Sequence, residues 1–197
     1  MNIQPDSVSL RHFYDTMVAV ITPRPIAWVS TIDAAGVCNL APYSFFNGVG
    51  VNPPTLMFCP ANKADGSPKD TLANVRANGQ FVVNVVTESF AEAMKQSADD
   101  GTPESDEFEL TGMHKVASAL VKPPRVADVV AAMECELLTS MQLGVGPGGA
   151  NLVVGRILSI YLSDSLIGED GRPVPSRVDT IGRMGGPTYA KTNDRFE

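Results

Sequence analysis

Prolines and turn residues cut this chain into short β-type runs that follow one another directly, and that succession limits the fold more than any other feature. Pro23 and Pro25 disfavour helix ahead of residues 26–32, a run rich in β-branched and aromatic side chains. Asp33-Ala34-Ala35-Gly36 reads as a turn, and residues 37–41 return as the partner strand. The aromatic, turn-rich Pro42-Tyr43-Ser44-Phe45-Phe46-Asn47-Gly48 comes next, and Pro53-Pro54 opens a third strand over residues 55–59. Residues 81–86, 133–143 and 151–162 supply three more. Strands in consecutive runs build antiparallel meanders and disfavour a doubly wound parallel sheet, which needs strand–helix alternation.

Helical signals are fewer. Leu72, Val75 and Arg76 have helical spacing behind Asp70, a residue suited to the N-cap, and Gly79 suits the position beyond the last turn. Residues 88–98 predict an amphipathic helix after Thr87, and the chain beyond Asp164 reads as loop. The 197 residues, 44% apolar and 19% charged, suffice for one well-buried domain spanning 1–197. It is expected to be mainly β with helical insertions, a barrel or a sandwich.

Several function classes lose support at once. Fifteen Lys and Arg against 22 Asp and Glu leave a net charge of −7, which argues against nucleic acid or an anionic membrane as a partner. Cys38, Cys59 and Cys135 are odd in number and widely spaced, so reduced, mostly buried thiols are expected instead of a disulfide scaffold or zinc ribbon. His12 and His114 have no interpretable nucleophile or carboxylate beside them, and no hydrolytic or metal constellation emerges. The first 17 residues lack an apolar signal region, and no apolar run approaches the roughly 20 residues that span a bilayer, so a cytoplasmic location is expected. The acidic run Asp99, Asp100, Glu104, Asp106, Glu107 and Glu109 reads as a solvated loop.

Three stretches carry candidate chemistry. Gly144-Val145-Gly146-Pro147-Gly148-Gly149 fits a dinucleotide fingerprint, yet residues 151–162 beyond it read as a strand by composition, so a glycine-rich hairpin loop is the better reading. Lys69-Asp70-Thr71 stands at a helix start, where free N–H groups and the positive dipole end suit either a phosphate or nothing beyond a capped surface helix. Between Arg24 and Asn47, the side chains of Trp28, Ser30, Thr31, Asn39, Ser44 and Asn47 mix amides and hydroxyls with aromatic rings. A planar heterocycle needs that mixture, and a core hairpin with polar turns also accounts for it.

Arg24-Pro25-Ile26-Ala27-Trp28-Val29-Ser30-Thr31, with Asn39-Leu40-Ala41-Pro42-Tyr43-Ser44 one turn later, strongly resembles the flavin reductase-like family of FMN-binding split barrels. Lys69-Asp70-Thr71, Phe81-Val82-Val83-Asn84, Asp106-Glu107-Phe108 and Arg183-Met184-Gly185-Gly186 continue the resemblance in the expected order. It implies a six-stranded Greek-key split β-barrel, a homodimer with FMN near the subunit interface, and NADH or NADPH as co-substrate. Carried over by motif, Trp28, Val29, Ser30, Thr31, Asn39, Ala41, Pro42, Tyr43 and Ser44 would hold the ring and ribityl portions. Lys69, Asp70 and Thr71 would meet the phosphate, and Arg183 would approach the flavin or the nicotinamide. Asn151 stands where relatives are expected to carry histidine. No catalytic acid or nucleophile is implied, because the cofactor carries the reaction. The implied activity is an NAD(P)H:flavin oxidoreductase, with a monooxygenase or another redox protein as partner. A flavoredoxin-type electron carrier and a non-enzymatic FMN-binding module are the alternatives.

Overall fold

The computed structural model describes residues 1–99 and 105–197. Its first strands are β1 (Ala27–Ile32), β2 (Cys38–Tyr43), β3 (Phe46–Val51), β4 (Pro54–Phe58) and β5 (Gln80–Val85). The two-residue strands β6 (Lys115–Val116) and β7 (Arg125–Val126) pair with each other, and the long β8 (Ala131–Gln142) and β9 (Asn151–Leu162) form a hairpin. Seven strands make one antiparallel sheet in the order β2-β1-β5-β8-β9-β4-β3.

The two edges of that sheet are consecutive in the chain. β2 ends at Tyr43 and β3 begins at Phe46, a stretch that spans at most about 11 Å. The sheet therefore rolls until its edges meet, joined by Ser44-Phe45 and not by a ladder of hydrogen bonds. The result is a barrel split along one seam.

This closure explains why the middle strands are rich in valine. β1 and β5 are covered on both faces, so their buried positions do not alternate. Trp28 points to a cluster with Leu40, Val82, Phe108 and Val126, while Val29 points the other way to Phe58, Phe81, Leu56 and Cys135. The Trp28 ring is fully buried, and its Nε1–H donates to Ser97 Oγ at 2.8 Å, which removes the cost of an unpaired indole donor. Gly155 of β9 leaves the space that the Phe81 ring fills: a Cβ there would lie 2.8 Å from Phe81 Cε1 and closer still to Cζ.

Among the described residues, four α-helices flank the barrel: α1 (Leu10–Val20), α2 (Asp70–Asn78), α3 (Ala91–Gln96) and α4 (Glu107–Leu110). α1 is capped by Ser9, whose hydroxyl accepts from the His12 N–H. α2 ends as its sequence predicts, with Gly79 at φ 73°. The expected long helix over residues 88–98 is instead a 3-10 turn at Glu88–Phe90 followed by the six-residue α3. Two further strands, β10 (Ile181–Arg183) and β11 (Tyr189–Lys191), form a hairpin in the region expected to be loop. It docks where the chain enters β1, through Arg24 N–H to Arg183 O at 3.0 Å and Arg183 N–H to Arg24 O at 2.8 Å.

Six strands were expected in the barrel, and the sheet has seven. The additional strand is β3, Phe-Asn-Gly-Val-Gly-Val, which carries two glycines and an asparagine and is exposed after Phe46. Pairing with β4 holds it as a strand, across an irregularity between Gly48 and Gly50. The three cysteines are free thiols, as expected, with Cys38 and Cys135 buried and Cys59 half-buried. Residues 144–150 connect β8 to β9 as a hairpin loop, again as expected.

Gly155→Ala tests the tight packing on Phe81. Overpacking of this kind costs about 1–3 kcal/mol, which in a chain of this size corresponds to a melting point lower by roughly 2–12 °C. Thermal unfolding followed by circular dichroism measures it, and an unchanged midpoint contradicts the contact.

Candidate functional site

β2 forms one lip of the seam. Its Leu40 N–H points away from β1 and is taken by Glu107 Oε2 at 3.0 Å. Two residues on, at the position with the same outward sense, stands Pro42, which has no N–H to leave unpaired. The lip is thus satisfied by side chains and by proline instead of a neighbouring strand, which leaves room for a groove alongside.

Two hollows run along this lip. A narrow one is lined by Asn39, Ala41, Tyr43, Lys69, Asp70, Thr71, Ser97 and Glu107. Next to it, and sharing Ala98 with it, lies a hollow of about 210 Å³ walled by Tyr14, Ile26, Pro42, Ser44, Met94, Arg183 and Tyr189. Asn39, Ala41, Pro42, Tyr43, Ser44, Lys69, Asp70, Thr71 and Arg183, all candidates from the sequence, therefore meet along one groove. Trp28, Val29, Ser30 and Thr31 lie one strand behind, fully buried. Their polar atoms are engaged there: Ser30 Oγ donates to Pro124 O and Thr31 Oγ1 accepts from Asn74 Nδ2 at 3.1 Å.

The narrow end is built around the start of α2. Lys69, not Asp70, holds the N-cap position, and its side chain does not cap the helix. Asp70 is the first helical residue and is paired with Lys63 Nζ at 2.9 and 3.0 Å. The cap supplies no side-chain acceptor to the first-turn N–H groups of α2, and a helix start of this kind suits an anion. Thr71 is 1% exposed, and its Oγ1 accepts from Asn39 Nδ2 at 2.8 Å, which locks α2 to β2.

Glu107 corrects the sequence-based picture of a solvated acidic loop. It begins α4 and is 7% exposed. Burial raises its pKa above the ordinary carboxylate value, Asp70 and Asp106 push the same way, and hydrogen bonds from the Leu40 and Glu107 backbone N–H groups oppose them. Asp99 and Glu109 are exposed as expected, whereas Asp100 and Glu104 lie outside the described residues. Ser97, Glu107 and Tyr14 line the groove without a local sequence signal, because each is brought in by a different helix or helix end.

Asn151 is part of the scaffold. It is 1% exposed; its Nδ2 donates to Pro60 O, Asn62 Oδ1 and Gly149 O, and its Oδ1 accepts from Arg76 Nη2. Asn62 Nδ2 in turn donates to Gly146 O. The glycine-rich loop is thereby tied to the segment leading into α2.

The model of the flavin reductase like domain matches residues 19–174 of the chain. Among solved structures, nitrilotriacetate monooxygenase component B from Bacillus cereus is 33% identical with a TM-score of 0.93, covering 100% of this chain and 98% of the other. The 2-nitrobenzoate 2-nitroreductase of Pseudomonas fluorescens is 32% identical with a TM-score of 0.90, covering 100% and 94%. An uncharacterized protein of Halalkalibacterium halodurans is 35% identical over 100% of this chain and 94% of its own length.

Glu107 gives the groove a pH signature. A carboxyl group whose folded pKa is raised releases its proton more readily when unfolded, so its stability contribution is fully present below the unfolded value of about 4.3 and is lost as pH rises through the folded value. Glu107→Gln keeps an oxygen for the Leu40 N–H and removes the titration. The variant is expected to match or exceed the parent in stability at pH 7, the advantage shrinking as pH falls towards about 4.5. Urea unfolding of both proteins at a series of pH values measures it, and a variant that loses stability at pH 7 contradicts the assignment.

Proposed function

The chain belongs to the flavin reductase-like family, and from that premise we propose that it binds FMN in the seam groove and oxidises NADH or NADPH to reduce the flavin. The observation that carries this is the contiguity of an uncapped helix N-terminus with a groove floored by one strand edge. The residues fit the cofactor. A phosphate suits the α2 start, where Thr71 and Lys69 stand beside the first-turn N–H groups and Asp70 is already neutralised by Lys63. The polyol suits Asn39 and the Glu107 side, and the ring suits the wider hollow between Pro42, Ser44 and Arg183.

Bound FMN supplies hydride and electron transfer. The chain's own residues bind, orient and exclude water. Pro42 and Ala41 offer an apolar ledge, the outward carbonyls of β2 offer acceptors, and Tyr14 and Met94 wall the ring end. No side chain needs to donate or accept a proton in this scheme, which agrees with the lack of a catalytic constellation in the sequence.

The 33% identity to a monooxygenase component B supports a role in supplying reduced flavin to a partner oxygenase. The 32% identity to a 2-nitrobenzoate 2-nitroreductase supports a second reading, in which an aromatic nitro group takes the electrons directly. None of the described helices is long and apolar enough to cross a membrane. A homodimer is part of the proposal: the edge strand β3 exposes Val49 and Val51, and the β8–β9 hairpin exposes Leu138, Met141 and Leu143.

The decisive experiment is flavin titration followed by steady-state oxidation of NADH and NADPH, with free FMN or 2-nitrobenzoate as acceptor. Turnover with free FMN supports the reductase, turnover with 2-nitrobenzoate the second reading, and a protein that binds no flavin overturns both. Lys69→Ala and Thr71→Ala are expected to weaken FMN by roughly 10- to 150-fold and riboflavin much less, the scale of one charge-assisted hydrogen bond. Equal losses for both ligands remove these residues from the phosphate end. Light scattering on a dilution series is expected to show a dimer whose dissociation releases FMN, and a monomer that retains stoichiometric FMN contradicts it.

A further inference from the structure

Beside the ring end of the groove lies a second cleft, of about 400 Å³, between α1 and the β10–β11 hairpin. Tyr14 and Arg183 line both spaces, so the two communicate. In a chain of net charge −7, this corner is unexpectedly basic. Arg24 and Arg183 are held side by side by the reciprocal backbone hydrogen bonds between them, and both residues line the cleft.

Neither arginine has a carboxylate within ion-pair reach among the described residues. Arg24 is 5% exposed and donates to neutral acceptors: Val18 O at 2.8 Å, Ile21 O at 2.5 Å, Met184 O at 3.0 Å and Ser44 Oγ at 3.4 Å. Burial lowers its pKa, the Tyr14 hydroxyl opposes the shift, and the Arg183 cation adds to it. The Arg183 guanidinium stacks 4.6 Å from the centroid of Tyr189, which also carries Lys95 at 5.6 Å on the ring. No described acceptor takes its five N–H donors. The acid on the cleft wall, Asp15, is already paired with Arg11 at 2.9 Å.

Two neighbouring cations with no counter-charge among the described residues, one of them buried, raise the energy of an empty cleft and lower that of an occupied one. We propose that this cleft is an oxyanion subsite for the second substrate, in which Arg183, backed by Arg24, receives a phosphate or carboxylate while the substrate's reacting end lies in the adjoining hollow. The inference rests on the flavin reading for the identity of that hollow, and it adds a specificity-determining residue to it. Two sources share the chemistry: the diphosphate of the nicotinamide donor, or the carboxylate of an aromatic acid.

The test uses Arg183→Gln, a half-buried position whose loss should not disturb folding, and Arg183→Lys, which keeps the charge. FMN titration of the wild type comes first, since a chain that binds no flavin fails the functional reading and leaves the anion measurements standing on their own. Equilibrium titrations with ADP-ribose and with benzoate then read the subsite without turnover. ADP-ribose binding about tenfold or more weaker in Arg183→Gln, and partly restored in Arg183→Lys, supports the donor's phosphates as the occupant. In that case the ratio of kcat/KM for NADH to that for 1-benzyl-1,4-dihydronicotinamide, which has no phosphate, falls by a similar factor. The same loss confined to benzoate supports a carboxylate. Unchanged affinity for both probes overturns the proposal.

Discussion

A two-residue join governs this molecule. Because Ser44-Phe45 links the two edges of a seven-stranded sheet, the sheet has to roll, and because β2 and β3 never pair, it cannot close completely. Everything concave in the candidate site lies on the β2 side of that unclosed line. An ordinary exposed edge would invite another strand. Here Glu107 occupies the Leu40 N–H, Pro42 removes a donor, and α2 is fastened across through Asn39 and Thr71. The same devices that protect the edge shape the groove.

The rolled sheet also explains why the recognisable motif divides between core and groove. β1 lies inside, covered on both faces, so Trp28, Val29, Ser30 and Thr31 stabilise the wall behind the site. β2 lies at the seam, where Asn39, Ala41, Pro42 and Tyr43 line the groove while Cys38 and Leu40 pack into the core. Neighbouring strands of one hairpin motif thus serve two different purposes, separated only by the 4.8 Å or so between them.

Several buried strands were legible in the sequence: β1, β5 and β9 announce themselves through valine, isoleucine and aromatic residues, β2 as the return arm of the turn at residues 33–36, and β4 through the prolines that open it. β3 was not, for its glycines and asparagine hide a strand that forms by pairing with its neighbour β4. The β10–β11 hairpin escaped for a similar reason: three-residue strands carry no periodicity, and docking on Arg24 is a long-range event. The helix start at residues 69–71 was legible, although Lys69 and not Asp70 takes the cap. Glu107 could not be read, because a buried carboxylate inside an acidic run looks like its solvated neighbours until α4 is folded against β2.

Trp28 is the single tryptophan of the chain, and its position gives the protein a built-in optical probe. The indole is sealed from solvent and hydrogen-bonded to Ser97, which itself lines the narrow end of the groove. Emission excited at the red edge of protein absorption therefore arises from one known site, one hydrogen bond away from whatever the groove holds.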